Sequence, residues 1–472
     1  MLGLGARGGT LVVKNGHVID PASAVDAAHD VLIVDGVVRD IGPRLAAPEQ
    51  ATVVDATGKI VCPGFIDIHV HLREPGFEYK ETIATGTRAA AAGGFTAVCC
   101  MANTHPVNDN RSITDYILAR AKTEGVVRVY PIGAVTRNLK GEELSELAEL
   151  AEAGCVGYSD DGKPVMNAGL YRRAMEYTLP FGAPIISHAE DAHLSTGGAM
   201  NEGVVSTELG IAGAPAAAED IMVARDIVLA ELTGAHVHLA HLSTAGSVRL
   251  VRDAKARGLR VTAEAAPHHL LLTEDAVRTW DPNAKMNPPL RTKRDTEALL
   301  EGLADGTIDC VATDHAPHAL SEKEGEFDRA AFGIVGLETA VAVLLDRLVR
   351  PGRLPLKTLV ARLTADPARL LNLPLGSLVP GRPGDVTILD LHRELTIDPA
   401  RFHSRSRNTP FGGWTVTGGP WMTIVNGHVI SSEGGFAPLR TKGATPPSEL
   451  PRPNLPPGQG SAGKAGARTE SM

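Results

Sequence analysis

Along GFIDIHVHLREPG, apolar Ile66, Ile68, Val70 and Leu72 alternate with polar Asp67, His69 and His71, the period-two pattern of a strand. Seven further runs share this β-rich character: GFTAVCCM, VVRVYPIGAV, GCVGYSD, APIISHAE, AHVHLAHL, LRVTAEAAP and IDCVATDH. Between them lie Ala-rich or amphipathic stretches, such as ETIATGTRAAAA, RSITDYILARAK, AAEDIMVARDIVLAEL and LLEGLADG, whose spacing predicts helices. Eight such units over residues 63–370 predict an α/β protein built on a closed (β/α)8 barrel of the TIM type.

Residues 1–62 read differently, as short strands with tight turns, and Asn15-Gly16 and Asp35-Gly36 are both predicted as two-residue hairpin turns. The pattern returns in GDVTILDL and WMTIVNGHVIS, where Asn426 to Ile430 repeats Asn15 to Ile19 letter for letter. Residues 1–62 and 371–435 are therefore expected to be two parts of one small composite β domain, with the repeated segments as neighbouring strands. Residues 436–472 are rich in Pro, Gly and small polar side chains. They are expected to be disordered, because such a composition cannot bury a core.

Charge and composition narrow the function. The 472 residues carry a formal net charge of -9 with no basic block, which excludes nucleic acid as the expected partner. No run approaches the about 18 consecutive apolar residues of a membrane span, and the N-terminus lacks the regions of a secretory signal. A cytoplasmic protein without a membrane partner is expected. Cys62, Cys99, Cys100, Cys155 and Cys310 have no CxxC spacing and read as buried, reduced thiols.

The histidines carry the candidate chemistry. A strand presents His69 and His71 on one side, two residues apart, as a metal pair. Further ligand types stand at the ends of other predicted strands: Asp160 and Asp161 after GCVGYS, His188 in IISHAED, His241 in HLAHLST and Asp314 in VATDHAPH. A barrel gathers the C-terminal ends of its strands on one face, so residues far apart in sequence become one site. Imidazole and carboxylate ligands without cysteine suit zinc, with manganese, cobalt or iron as substitutes. Each residue alone has an ordinary reading in a core or on a surface, and their convergence favours the metal.

DIHVHLREPG and ATDHAPH, joined by HAED, HLST, PHHLLLTE and KMNPPLR, closely resemble the bacterial class I dihydroorotases, from about Val12 to about Ile430. The resemblance implies an amidohydrolase-superfamily barrel with a composite β domain, and one or two zinc ions per subunit. It implies that His69 and His71 bind the first zinc and that His188 and His241 bind the second. Asp161 would bridge them or serve the first, and Asp314 would touch metal and act as general acid and base. Arg73, Asn103, Asn287 and His318 carry over as substrate contacts. Arg73 offers a planar fork for a carboxylate, with Asn103 and His318 adding donors. Asn287 has the amide donor and acceptor to read a ureide edge.

The implied reaction is the reversible cyclisation of N-carbamoyl-L-aspartate to L-dihydroorotate and water in pyrimidine biosynthesis. Two alternatives stand beside it. One is another cyclic amidase, an allantoinase or dihydropyrimidinase, against which Arg73, Asn103 and Asp161 argue. The other is a non-catalytic dihydroorotase-like partner of aspartate transcarbamoylase, against which retention of all six ligands argues. In hydantoinases and in the other dihydroorotase class a carboxylated lysine bridges the metals. Here the corresponding strand ends GYSDDGKP, leaving Lys163 in a Gly-Pro turn. Ala102 replaces a common Pro, and EAA before PHH replaces a common Val-Thr pair, without removing a ligand. The segment APHALSEKEGEFDRAAFGIVG is expected to cover the site. His238, His268 and His269 read as support or packing, not as ligands. A homodimer and an association with aspartate transcarbamoylase are left open by the sequence.

Overall fold

The chain opens with β1 (Thr10–Asp20), β2 (Val25–Val34), β3 (Val37–Gly42), β4 (Thr52–Asp55) and β5 (Ile60–Pro63). It continues through β6 (Phe65–Val70), β7 (Phe95–Cys100), β8 (Arg128–Pro131) and β9 (Ile185–Ser187). A short parallel pair follows, β10 (Met200–Asn201) and β11 (Gly213–Ala214), then β12 (Val237–Leu239), β13 (Val261–Ala265) and β14 (Cys310–Val311). The last strands are β15 (Val386–Thr396), β16 (Thr415–Val425), β17 (His428–Ser432) and β18 (Gly435–Phe436). This computed structural model describes residues 9–433 and 435–436, so the expectation of a disordered tail falls almost wholly outside the described residues.

The barrel closes through eight parallel positions. β6, β7 and β8 pair in order, as do β9, β12, β13 and β14. Single bridges join the two sets, Gly133 with Tyr158 and Tyr158 with Ile185 on one side, and Val70 with His315 on the other. The predicted strand GCVGYSD is thus reduced to one bridged residue, yet it remains tied to both neighbours. Ser159 N–H donates to Gly133 O at 2.8 Å, and Ile186 N–H donates to Tyr158 O at 2.8 Å. All six residues of β6 are buried, as a parallel strand covered on both faces requires. The predicted helices form at Ile83–Ala92, Arg111–Glu124, Ala217–Thr233 and Lys293–Asp305. The five cysteines are buried and free.

Both chain ends build one nine-stranded sheet, ordered β18-β17-β16-β15-β5-β1-β2-β3 with β4 beside β1. Two expectations need correction. The repeated NGHVI segments share this sheet but are not neighbours, because β5 and β15 lie between β1 and β16. Asp35-Gly36 is the expected hairpin turn, with Val34 paired to Val37, but Asn15-Gly16 is not a turn. β1 runs straight through it with a bulge between Val13 and Gly16, because the rest of β1 must still pair with β5. Gly16 lies so close to β5 that a Cβ there would stand 2.4 Å from Val61 Cγ2.

One buried ion pair ties the sheet to the barrel. Arg128 of β8 donates to Asp385, next to β15, through Nε at 2.7 Å and Nη2 at 3.2 Å. Losing one partner of such a pair strands the other charge and typically costs about 3–5 kcal/mol.

Candidate active site

Every predicted ligand follows or ends a barrel strand. His69 lies in β6 and His71 just past it, Asp161 follows the Tyr158 bridge, and His188, His241 and Asp314 follow β9, β12 and β14. All six are buried. Asp161 Oδ1 stands 3.4 Å from His69 Nε2 and 3.5 Å from both His188 Nδ1 and His241 Nε2. Asp161 Oδ2 is 3.5 Å from His71 Nε2. Asp314 Oδ1 is 3.4 Å from His69 Nε2 and 3.1 Å from His71 Nε2.

Apart from a hydrogen bond between Asp314 Oδ1 and His71 Nε2 at 3.1 Å and a contact between His188 Nδ1 and His241 Nε2 at 2.9 Å, these separations are longer than ordinary hydrogen bonds. They match the about 3.3 Å that tetrahedral donors keep when each lies about 2.0–2.1 Å from one ion. His69 Nε2 and Asp161 Oδ1 are buried with no hydrogen-bond partner among the described residues, a costly arrangement unless something binds there. The donor set therefore fits a divalent metal. Two overlapping triads carry it, His69, His71 and Asp314, and His69, Asp161 and His241. Asp160, left beside Asp161 by the sequence, turns away and accepts from Thr136 N–H at 3.0 Å and from the Thr136 hydroxyl. Lys163 is exposed.

The far nitrogens of three imidazoles are held by oxygens. Glu264 on β13 places Oε1 2.6 Å from His69 Nδ1 and also accepts from His241 N–H at 3.2 Å. Its Oε2 is 3.1 Å from His238 Nε2. Asn103 Oδ1 is 2.9 Å from His71 Nδ1, and Glu190 Oε2 is 2.8 Å from His188 Nε2. Such partners orient an imidazole and choose its tautomer, leaving the other nitrogen free for the centre. Glu264 and Glu190 were not singled out in the sequence. Their only signal was a carboxylate in a strand otherwise apolar, TAEAA, and one beside a ligand in HAED.

Burial opposes ionisation of Glu264, but His69 and His238 outweigh it and hold its carboxyl well below the ordinary range. Burial opposes ionisation of Asp314 too, yet His69, His71 and His241 bring it down to about 2. Asp67 is different: burial raises it to about 7, while its Oδ1 accepts from His69 N–H and Thr313 N–H, both at 3.1 Å, and ties β6 to the chain after β14.

Three site residues adopt left-handed backbone, Arg73 at φ 61°, His241 at φ 31° and Asp314 at φ 47°. This region is sparsely used by residues with side chains and costs about 1–3 kcal/mol each. It lets the chain bend sharply as it leaves a strand, which no local pattern announced.

The proposed substrate contacts fall in two places. Arg73 Nε donates to Pro317 O at 3.2 Å, next to His318. His318 Nδ1 lies 3.5 Å from both Lys80 Nζ and Glu322 Oε2, and burial, helped by Arg73 and Lys80 and opposed by Glu322, lowers its pKa to about 3. Asn103 sits under His71. Asn287 lies on the other side, its Nδ2 donating to Glu190 Oε2 at 2.9 Å, at the edge of a cavity of about 290 Å³ also lined by Lys285 and Phe332. His269 Nε2 meets Pro288 O at 2.9 Å and so holds the Asn287 turn. His315, beside Asp314, points instead to Glu81 at 3.3 Å.

The family described as Dihydro-orotase-like matches residues 58–247, and the Amidohydrolase family matches residues 208–431. Curated dihydroorotases from Geobacter sp. (strain M21) and Pelotomaculum thermopropionicum are each 56% identical to this chain. The alignments cover 90% of this chain and 100% and 99% of those relatives. The chain belongs to the dihydroorotase family. It is an enzyme of the cyclic amidohydrolase class. Among solved structures, L-hydantoinase (dihydropyrimidinase) from Arthrobacter aurescens has a TM-score of 0.83 at 27% identity, covering 90% of this chain and 97% of that one. D-hydantoinase (dihydropyrimidinase) from Thermus sp. has a TM-score of 0.79 at 27% identity, covering 90% and 96%. These likenesses agree with the α/β barrel and its accompanying sheet.

Proposed function

We infer that this enzyme interconverts N-carbamoyl-L-aspartate and L-dihydroorotate plus water, the dihydroorotase reaction of pyrimidine biosynthesis. Its centre would hold one or two zinc ions on His69, His71, Asp161, His188, His241 and Asp314. The observation that carries the reading is the cluster of six donors, with Arg73 held at Pro317, three residues past Asp314, and Asn287 Nδ2 3.4 Å from His188 Nε2. Bound zinc supplies a Lewis acid and lowers the pKa of water from about 15.7 to about 7. In ring opening, Asp314 takes the proton that water loses on adding to the ring carbonyl, and returns it to the ring nitrogen as the C–N bond breaks. In ring closure it takes the ureide proton as the nitrogen attacks the carboxyl carbon and delivers it to the departing oxygen, which leaves as water with a second proton taken up from solvent by the attacked carboxylate. Arg73 and His318 hold the carboxylate that both substrate and product carry. The reading places the reaction in the cytoplasm. Among the described residues no helix is long and apolar enough to cross a membrane.

Dihydrouracil, the same ring without the carboxylate, is expected to show a kcat/KM at least about 10²-fold below that of L-dihydroorotate, because it leaves Arg73 and His318 unpaired. A spectrophotometric assay of both compounds decides this. Comparable turnover of the two would favour a dihydropyrimidinase.

Chelation is expected to abolish activity, and added zinc to restore it, with metal analysis of the same samples. Full turnover by metal-free protein would exclude the mechanism.

A further inference from the structure

The loop that follows β14, residues 316–335, carries His318 near its start. A segment from much later in the chain, between β15 and β16, grips both ends of that loop. Asn408 is buried. Its Oδ1 accepts from His318 N–H at 3.2 Å, and its Nδ2 donates to Ala316 O at 2.9 Å and to Gly333 O at 3.0 Å. Its main-chain oxygen accepts from Val335 N–H at 2.9 Å. An asparagine amide offers one acceptor and two donors to distinct partners, and here all are engaged across the loop's neck.

The neck in turn sets the ring of His318. Gly333 packs against it so closely that a Cβ there would stand 2.8 Å from His318 Cδ2 and 2.6 Å from Ala316 O, at φ 152°. The same late segment also holds the other neighbour of His318: Ser406 Oγ donates to Lys80 O at 2.8 Å, and Lys80 Nζ lies 3.5 Å from His318 Nδ1.

We propose that Asn408 is a positioning residue for the substrate's carboxylate, closing the neck of the 316–335 loop and so placing His318. The proposal rests on the assignment of His318 to that carboxylate. Asn408→Asp is nearly isosteric. It keeps an acceptor for His318 N–H and turns an oxygen toward Ala316 O and Gly333 O in place of the donor. Asn408→Ala removes all three bonds. A loss of alignment in a charged contact is expected to raise the KM for L-dihydroorotate at least about tenfold, with kcat within about threefold and metal content unchanged.

The decisive comparison is a double-mutant cycle with His318→Ala, which separates coupled from independent effects. Asn408→Asp is expected to change KM less than about twofold once His318 is gone, and amide hydrogen exchange over 316–335 is expected to quicken in both Asn408 variants. Additive effects on KM would overturn the proposal, as would a kcat loss with KM unchanged or an unchanged loop exchange. Should Asn408→Ala fail to fold, Asn408→Asp carries the cycle. A His318→Ala variant with wild-type KM would instead defeat the assignment of His318, a result distinct from failure of the coupling.

Discussion

Replacing Asp314 by asparagine is expected to lower kcat by at least about 10²-fold, since a positioned general base is worth about 10² to 10⁴. Its Oδ1 stands 3.1 Å from His71 Nε2 and 3.4 Å from His69 Nε2, at a left-handed bend that fixes where the carboxylate points. Asparagine keeps the size and one oxygen but cannot take and return a proton. KM should change far less, because Arg73, Asn103, Asn287 and His318 are untouched. Zinc content must be measured on the same protein, because Asp314 is also a proposed ligand. A variant that keeps its metal and turns over dihydroorotate within about threefold of wild type would remove Asp314 from the proton transfer.

The second large effect is expected at Glu264, which lies behind His69 on the side of Nδ1. Changing it to glutamine should weaken zinc binding by about 10- to 100-fold, the usual consequence of losing an oxygen behind a metal-bound imidazole. The carboxylate serves three groups at once: His69 Nδ1 at 2.6 Å, His241 N–H at 3.2 Å and His238 Nε2 at 3.1 Å. An amide has only one oxygen, so its NH2 must face either His69 or His238. It also removes a buried negative charge beneath the cation. Competition with a chromophoric chelator measures the effect. Zinc affinity equal to wild type would show that packing alone orients His69.

The convergence of the candidate ligands was legible because two short-range rules carry it. Strand alternation puts His69 and His71 on a common side, and barrel architecture sends the ends of distant strands to one face. Hence His188, His241, Asp161 and Asp314 could be expected together from the sequence alone. What stands behind them was not. Glu264 follows Ala263 in a run that looks like plain strand, and its partners His69 and His238 are 195 and 26 residues away. Asn408 meets His318 across 90 residues. Such pairs have no period and no motif, since they depend on which elements pack beside one another.

The repeated pentapeptide shows where the division falls. Asn15 to Ile19 and Asn426 to Ile430 have the same five letters, and in both the asparagine is left-handed, at φ 62° and φ 49°. That much is local, because asparagine tolerates this conformation and glycine follows it. In the second copy Gly427 is also left-handed, at φ 70°, and the chain reverses so that Val425 pairs with His428. In the first copy Gly16 is not among the left-handed glycines, and the strand continues to pair His17 with Ile60 and Val18 with Val61. The sequence by itself determined the left-handed asparagine and the strand-forming residues around it. Whether that kink became a turn or a bulge was decided by tertiary structure, because only the hydrogen bonds to a neighbouring strand make one continuation lower in free energy than the other.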